Sequence, residues 1–149
     1  MIEQYEFRVV EPGALGAAEA ITDVARPIIT FDLATYNALL RDDYRARMTG
    51  IHELGHLLLH TGQTGMAFMP RKDSSVDLER QADMFASAFL MPEFAFREMT
   101  SIRAVIKRFG VSRDAACYRA RTLRMPWLIS GKPAPTRNKK KGHGMNRAP

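Results

Sequence analysis

The sequence has few of the features that mark secreted or membrane proteins. Its one cysteine, Cys117, cannot form a disulfide framework within the chain. No apolar run approaches the roughly eighteen residues that a membrane-spanning helix needs. The N-terminal stretch MIEQYEFRVVEPG carries acids early and lacks the apolar core of a signal peptide. These absences favour a cytoplasmic protein without a membrane segment.

Acidic residues are absent from the last nineteen positions, GKPAPTRNKKKGHGMNRAP, which hold six Lys and Arg residues. The net charge of +6 therefore comes from this segment, and residues 1–130 are balanced. Because a basic segment rich in Pro, Gly and Asn buries little apolar area, we expect residues 131–149 to be disordered. This tail could contact nucleic acid weakly, although a solubilising role is the favoured interpretation. Residues 1–130 are long enough for one domain, with a core at about 25–125.

Apolar periodicity predicts an α+β domain that is mainly helical with a small sheet. PGALGAAEAITDVA (12–25) has helix formers after a proline and is interpreted as a helix. RPIITFD (26–32) is a short β-branched run that begins at a proline, which is typical of an edge strand. The later helical patterns cover residues 41–60, 76–92, 101–110 and 112–125, with a short helix within 93–99.

Capping residues support these boundaries. Asp42 or Asp43 is placed to cap the helix at 41–60, and Gly62 is placed to end it before a loop at 61–75. Pro92 ends the helix at 76–92. Ser112 is an N-cap between the last two helices, which therefore form a C-terminal helical pair joined by a tight turn.

The stretch GIHELGHLLLH (50–60) carries the most specific chemistry. His52 and His56 are four residues apart on a helix, so both rings project from one face and can share a metal ion. Glu53 points about 100° around the helix, where it can reach a metal-bound water as a general base. Gly55 costs about 1 kcal/mol relative to alanine inside a helix. We expect another backbone to approach it closely, with the sheet as the suggested neighbour.

A catalytic zinc needs a third protein ligand and one open position. His60 continues the spacing, but helical drift turns it away from the first histidine. Asp73 and Asp77 remain alternatives in the loop and at the next helix start. Glu79 is the preferred third ligand, because Asp83 follows one turn later and could accept the free N–H of a ligand histidine. An ordinary amphipathic helix with unliganded histidines is the competing interpretation.

HELGHLLLH followed by ERQADMFASAFLMP resembles the ImmA/IrrE family of small metallopeptidases, over about residues 25–125. The resemblance implies a minimal zincin-like metalloprotease domain with a gluzincin-type site. It implies that His52, His56 and Glu79 bind zinc and that Glu53 is the catalytic base. Manganese or another divalent metal remains open for such a donor set. Family members that are understood cut helix-turn-helix repressors, often encoded nearby, in stress or mobile-element circuits.

Two matters stay open from the sequence. The group that stabilises the oxyanion or contacts substrate is not identified, and Tyr118, Arg119 and His60 are weak candidates. The basic helical pair at 101–125 could instead bind DNA, which would make the chain a regulatory protein. A metal-bound scaffold without proteolytic activity is the third interpretation. We favour the endopeptidase, because the residues that resemble the family run through this region.

Overall fold

The computed structural model describes residues 5–60 and 74–132. Its N-terminal part is a three-stranded sheet formed by β1 (Glu6–Val10), β2 (Ala20–Asp23) and β3 (Ile28–Asp32). β3 is the central strand, with β1 parallel to it on one side and β2 antiparallel on the other. The remaining described elements are helices, so the α+β, mainly helical class is confirmed.

Two predictions for this region are wrong. Residues 12–25 are not a helix but a series of turns followed by β2. Gly13 and Gly16 have φ angles of 81° and 66°, outside the helical region, and the Gly13 N–H donates to Asp32 Oδ2 at 2.9 Å. β3 is central and not at an edge. Pro27 lies just before β3, where its carbonyl accepts from Glu6 N at 3.0 Å and its missing N–H costs no ladder bond.

The predicted helix at 41–60 is present as one helix that begins at Tyr44. α1 (Leu33–Leu40), which was not predicted, precedes α2 (Tyr44–His60). Asp42 separates the two helices, because its φ of 60° is left-handed. Asp43 is the residue that caps α2: its Oδ1 accepts from Arg45 N at 2.9 Å and from Ala46 N at 3.0 Å. Of the loop predicted at 61–75, residues 61–73 with Gly62 and Asp73 lie outside the described residues, and residues 74–75 are helical.

The later helices follow the predicted order. They are α3 (Ser74–Leu90), α4 (Glu93–Phe96), α5 (Ile102–Phe109), α6 (Arg113–Thr122) and a further short helix, α7 (Trp127–Ser130). The Ser112 hydroxyl accepts from Ala115 N at 3.1 Å, which confirms the predicted cap of α6. Gly110 ends α5 with a φ of 59°. Because α3 begins at Ser74, two residues before the predicted start, Glu79 lies in its second turn.

Two apolar clusters hold the elements together. The smaller one packs the sheet against α2 and contains buried Ala20, Ile29, Phe31 and Leu57. The larger one joins the end of α3 to the C-terminal helices, with Phe96 and Val105 fully buried. None of the helices in the described ranges is long and apolar enough to cross a membrane. From residue 133 the predicted tail lies outside these ranges, and the domain division stays a prediction.

α2 and α3 approach each other closely at Gly55. A Cβ atom built on Gly55 would lie 3.1 Å from Phe85 Cδ1 and 3.2 Å from Ala82 Cα. The expected close backbone approach is therefore present, but the neighbour is α3 and not the sheet. Ala82 and Ala86 of α3 are themselves fully buried. Small residues on both helices thus set the distance between them.

This packing makes opposite predictions for two glycines of the same helix. Gly55→Ala should lower the free energy of unfolding by up to about 2 kcal/mol, because overpacking costs about 1–3 kcal/mol and improved helix propensity offsets only about 1 kcal/mol. Gly50→Ala is the matched control, since its Cβ would make only ordinary van der Waals contacts, with the side chains of Leu39 at 3.4 Å and Phe31 at 3.8 Å. It should be neutral or stabilising. Thermal unfolding in the presence of a chelator measures both, and a stabilised Gly55→Ala protein would contradict the packing argument.

Candidate metal centre

His52 and His56 of α2 and Glu79 of α3 converge on one point. The Nε2 atoms of the two rings lie 3.0 Å apart. Glu79 Oε2 is 3.2 Å from His52 Nε2, and Glu79 Oε1 is 3.3 Å from His56 Nε2. One donor atom from each residue lies within 4.8 Å of the others. Among the described residues, Asp77 is not part of this group.

These distances fit a divalent ion. With bonds of about 2.0–2.1 Å, the donors of a tetrahedral zinc site lie about 3.3 Å apart, and the observed separations are close to that value. The His52 and His56 side chains are 20% and 14% exposed, whereas Glu79 is 63% exposed. The histidines are therefore held within the protein, and the glutamate side faces solvent. Such a centre leaves room for water or substrate at a further coordination position.

Asp83 lies behind His52. Its Oδ1 is 2.9 Å from His52 Nδ1, and a carboxylate accepts the ring N–H at that distance. With the proton on Nδ1, the Nε2 lone pair faces Glu79 and is available to a metal. The spacing of Glu79 and Asp83 by one turn of α3 thus allows both carboxylates to reach the same histidine.

His60 lies behind His56. The two Nδ1 atoms are 3.1 Å apart, and His60 Nε2 is 3.4 Å from Gln81 Oε1 of α3. The His60 side chain is buried, and this burial lowers the pKa of its imidazole, which favours the neutral ring. The structure therefore places His60 on the Nδ1 side of His56, away from the edge that faces Glu79.

Glu53 points towards the sheet. Its carboxylate is buried, and Oε2 accepts a hydrogen bond of 2.6 Å from the Thr22 hydroxyl of β2. The same hydroxyl lies 3.0 Å from the Glu53 carbonyl oxygen, so the carboxylate is the closer acceptor. Sequence reasoning missed Thr22, because residues 12–25 were interpreted as a helix. The β-branched pair Ile21 and Thr22 was the signal that could have indicated a strand.

Tyr118 and Arg119 lie on α6. Arg119 is buried and its Nε donates to the Met91 carbonyl at 3.0 Å, which fastens α6 to the end of α3. Burial lowers the pKa of its guanidinium, but from so high a value that it stays charged. Tyr118 is exposed, and its backbone carbonyl accepts from the Thr122 hydroxyl. Within the described ranges, no hydrogen bond or ion pair connects either side chain to the two histidines or Glu79.

Comparison with known proteins gives one family match. Residues 35–121 match the model of a peptidase family, M78, described as the IrrE N-terminal-like domain. The match covers more than half of the chain and includes every residue of the His-His-Glu group. It ends within α6. A search of curated proteins found no match.

The geometry of the group predicts how metal binding depends on Glu79. The wild-type protein should bind about one equivalent of a divalent metal, and Glu79→Ala should lower the affinity by more than about a hundredfold, since even outer-shell changes cost tenfold to a hundredfold. Asp77→Ala removes another exposed acid of the same helix and should bind like the wild type. Competition with a chromogenic chelator measures all three proteins. Equal affinities for wild type and Glu79→Ala would exclude Glu79 as a ligand.

Proposed function

We propose a mechanism and a substrate for this chain, which belongs to the IrrE N-terminal-like peptidase family and is therefore a metallo-endopeptidase acting on a protein substrate. In this proposal His52, His56 and Glu79 hold a catalytic zinc, and Glu53 is the general base. The convergence of the three donors supports it most directly, with Glu53 directly after the first of them on α2. Nitrogen and carboxylate donors suit zinc, although manganese or another divalent ion could bind the same set.

The bound metal would supply Lewis-acid chemistry, lowering the pKa of water and polarising the scissile carbonyl. The protein itself supplies the proton acceptor, which is the carboxylate of Glu53. The Thr22 hydroxyl donates to Oε2 of Glu53, and in this proposal Oε1 takes the proton of the attacking water. The same oxygen can then deliver the proton to the leaving amine. Asp83 acts from behind His52, where it holds the ring with Nε2 unprotonated.

The substrate that we propose is a helix-turn-helix transcriptional repressor encoded near this gene. The support is the resemblance to the ImmA/IrrE family, whose understood members cut such repressors. Cleavage would relieve repression in a stress or mobile-element circuit. The fold is consistent with a specialised peptidase, because the described chain adds little beyond the metal-centre helices, the sheet and the C-terminal helices. Specificity would then come from docking of one partner.

The alternative DNA-binding role of the helical pair at 101–125 gains no support from α5 and α6. Some of its basic side chains contact groups of the protein itself. Arg119 Nε donates to the Met91 carbonyl. Arg108 lies 3.9 Å from Glu98. The apolar faces of both helices are buried in the C-terminal cluster. Weak contact of nucleic acid with the basic tail remains a separate prediction.

The proposed base is tested by Glu53→Gln. This variant should retain metal, whereas its cleavage rate should fall by about a hundredfold to ten-thousandfold because no carboxylate accepts the proton. The measurement is mass spectrometry of new termini after incubation with repressors encoded beside the gene. Chelation of the metal should abolish the same products in the wild type. A Glu53→Gln protein that cleaves at the wild-type rate would rule out this mechanism.

Thr22 should act as a positioning residue for Glu53. Thr22→Val keeps the shape but removes the hydroxyl, and we expect kcat to fall about tenfold to a hundredfold, since a hydrogen bond to a charged group contributes about 1.5–3 kcal/mol. KM should change little, because the hydroxyl is bonded to Glu53. Thr22→Ser is the matched control and should restore most of the rate. Equal kcat values for Thr22→Val and wild type would contradict the role.

A further inference from the structure

We infer that His60 and Gln81 form a hydrogen-bonded pair that positions His56 for metal binding. This inference rests on the proposed function, because it takes His52, His56 and Glu79 as the metal ligands. His60, held by Gln81, would accept the ring N–H of His56, as the Asp83 carboxylate accepts the ring N–H of His52. Unlike Asp83, it would do so without a negative charge.

The two nitrogens of the His56 ring have different surroundings. Nε2 lies 3.0 Å from His52 Nε2 and 3.3 Å from Glu79 Oε1, so it belongs to the candidate metal centre. Nδ1 lies on the other side of the ring, 3.1 Å from His60 Nδ1. This distance is within the usual range of a hydrogen bond between nitrogen and its acceptor.

The positions of the protons follow from the chemistry of the ligand. A histidine binds a metal through an unprotonated nitrogen, so His56 Nε2 must carry a lone pair and Nδ1 must carry the proton. That proton can only be donated to His60 Nδ1 if the latter is unprotonated. A neutral His60 then carries its proton on Nε2, which faces Gln81 Oε1 at 3.4 Å. One arrangement of protons thus satisfies all three side chains, with a longer bond at the Gln81 end.

Burial explains why a neutral acceptor suits this position. His60 is 8% exposed, whereas the Asp83 side chain is 56% exposed and partly hydrated. A metal ion of charge +2 is already balanced by the carboxylates of Glu79 and Asp83. An additional carboxylate at the buried position behind His56 would be an uncompensated charge in a poorly hydrated site, which is costly. His60 orients the ring and adds no charge.

Helix packing brings the two members of the pair together. His60 lies one turn after His56 on α2, and Gln81 directly precedes Ala82, the residue that contacts Gly55. The close approach of α2 and α3 therefore holds Gln81 beside His60. Because Gln81 follows Glu79 by only two residues, nothing in the helical spacing would associate it with the metal centre.

The test compares zinc affinity among variants by competition with a chelator. His60→Leu removes the acceptor and should weaken zinc binding about tenfold to a hundredfold. His60→Asn retains an acceptor oxygen near the Nδ1 position and should stay within about threefold of wild type, since its bond replaces one of similar strength. Gln81→Met should cause a smaller loss of about two- to tenfold. Ser87→Ala is the control, because Ser87 is a buried polar residue of α3 whose hydroxyl has no hydrogen-bond partner among the described residues.

Nitrogen-15 NMR of the histidine rings gives a readout independent of affinity. In the zinc-loaded protein we expect a proton on His56 Nδ1, none on His60 Nδ1, and a proton on His60 Nε2. A proton on His60 Nδ1, or wild-type affinity in both His60→Leu and Gln81→Met, would overturn the inference. If those variants bind normally while Glu79→Ala does not, only the role of His60 and Gln81 fails. If the wild-type protein binds no zinc, both this inference and the proposed function fail.

Discussion

The close contact of α2 with α3 is the constraint on which the candidate metal centre depends. A methyl group on Gly55 would lie 3.1 Å from Phe85 Cδ1 and 3.2 Å from Ala82 Cα, closer than ordinary van der Waals contact. The contacts of the α2 histidines with α3 all cross this interface, over distances of 2.9–3.4 Å. A displacement of about 1 Å would place these groups beyond hydrogen-bonding reach. Helix packing and metal chemistry are therefore coupled, and a packing change far from the donor atoms can alter the centre.

Hydrogen bonds to the atoms that face away from the candidate metal position orient the side chains of the centre. Asp83 and His60 each contact the Nδ1 atom of one candidate ligand, which directs the two Nε2 lone pairs to a common point. The Thr22 hydroxyl donates to one carboxylate oxygen of Glu53. These partners come from a strand and two helices. The candidate metal centre thus depends on residues from several elements. The HELGH sequence supplies two of its candidate ligands and the proposed base.

Local spacing explains what could be predicted from the sequence. The i, i+4 separations of His52 from His56 and of Glu79 from Asp83 lie within single helices, and a helix fixes such geometry by itself. Thr22 and Gln81 could not be found in this way. Thr22 meets Glu53 across 31 residues of sequence, and Gln81 reaches His60 only because two helices pack closely. The order of the strands was likewise missed, because β1 and β2 are defined by their pairing with β3 and carry weak patterns of their own.

The most direct measurement is the position of the metal in crystals of the zinc-loaded protein, from anomalous diffraction recorded on both sides of the zinc absorption edge. The account predicts one peak at about 2.0–2.2 Å from Nε2 of His52, Nε2 of His56 and a carboxylate oxygen of Glu79. A peak bound by His60 in place of Glu79 would contradict it. So would the absence of any peak between α2 and α3.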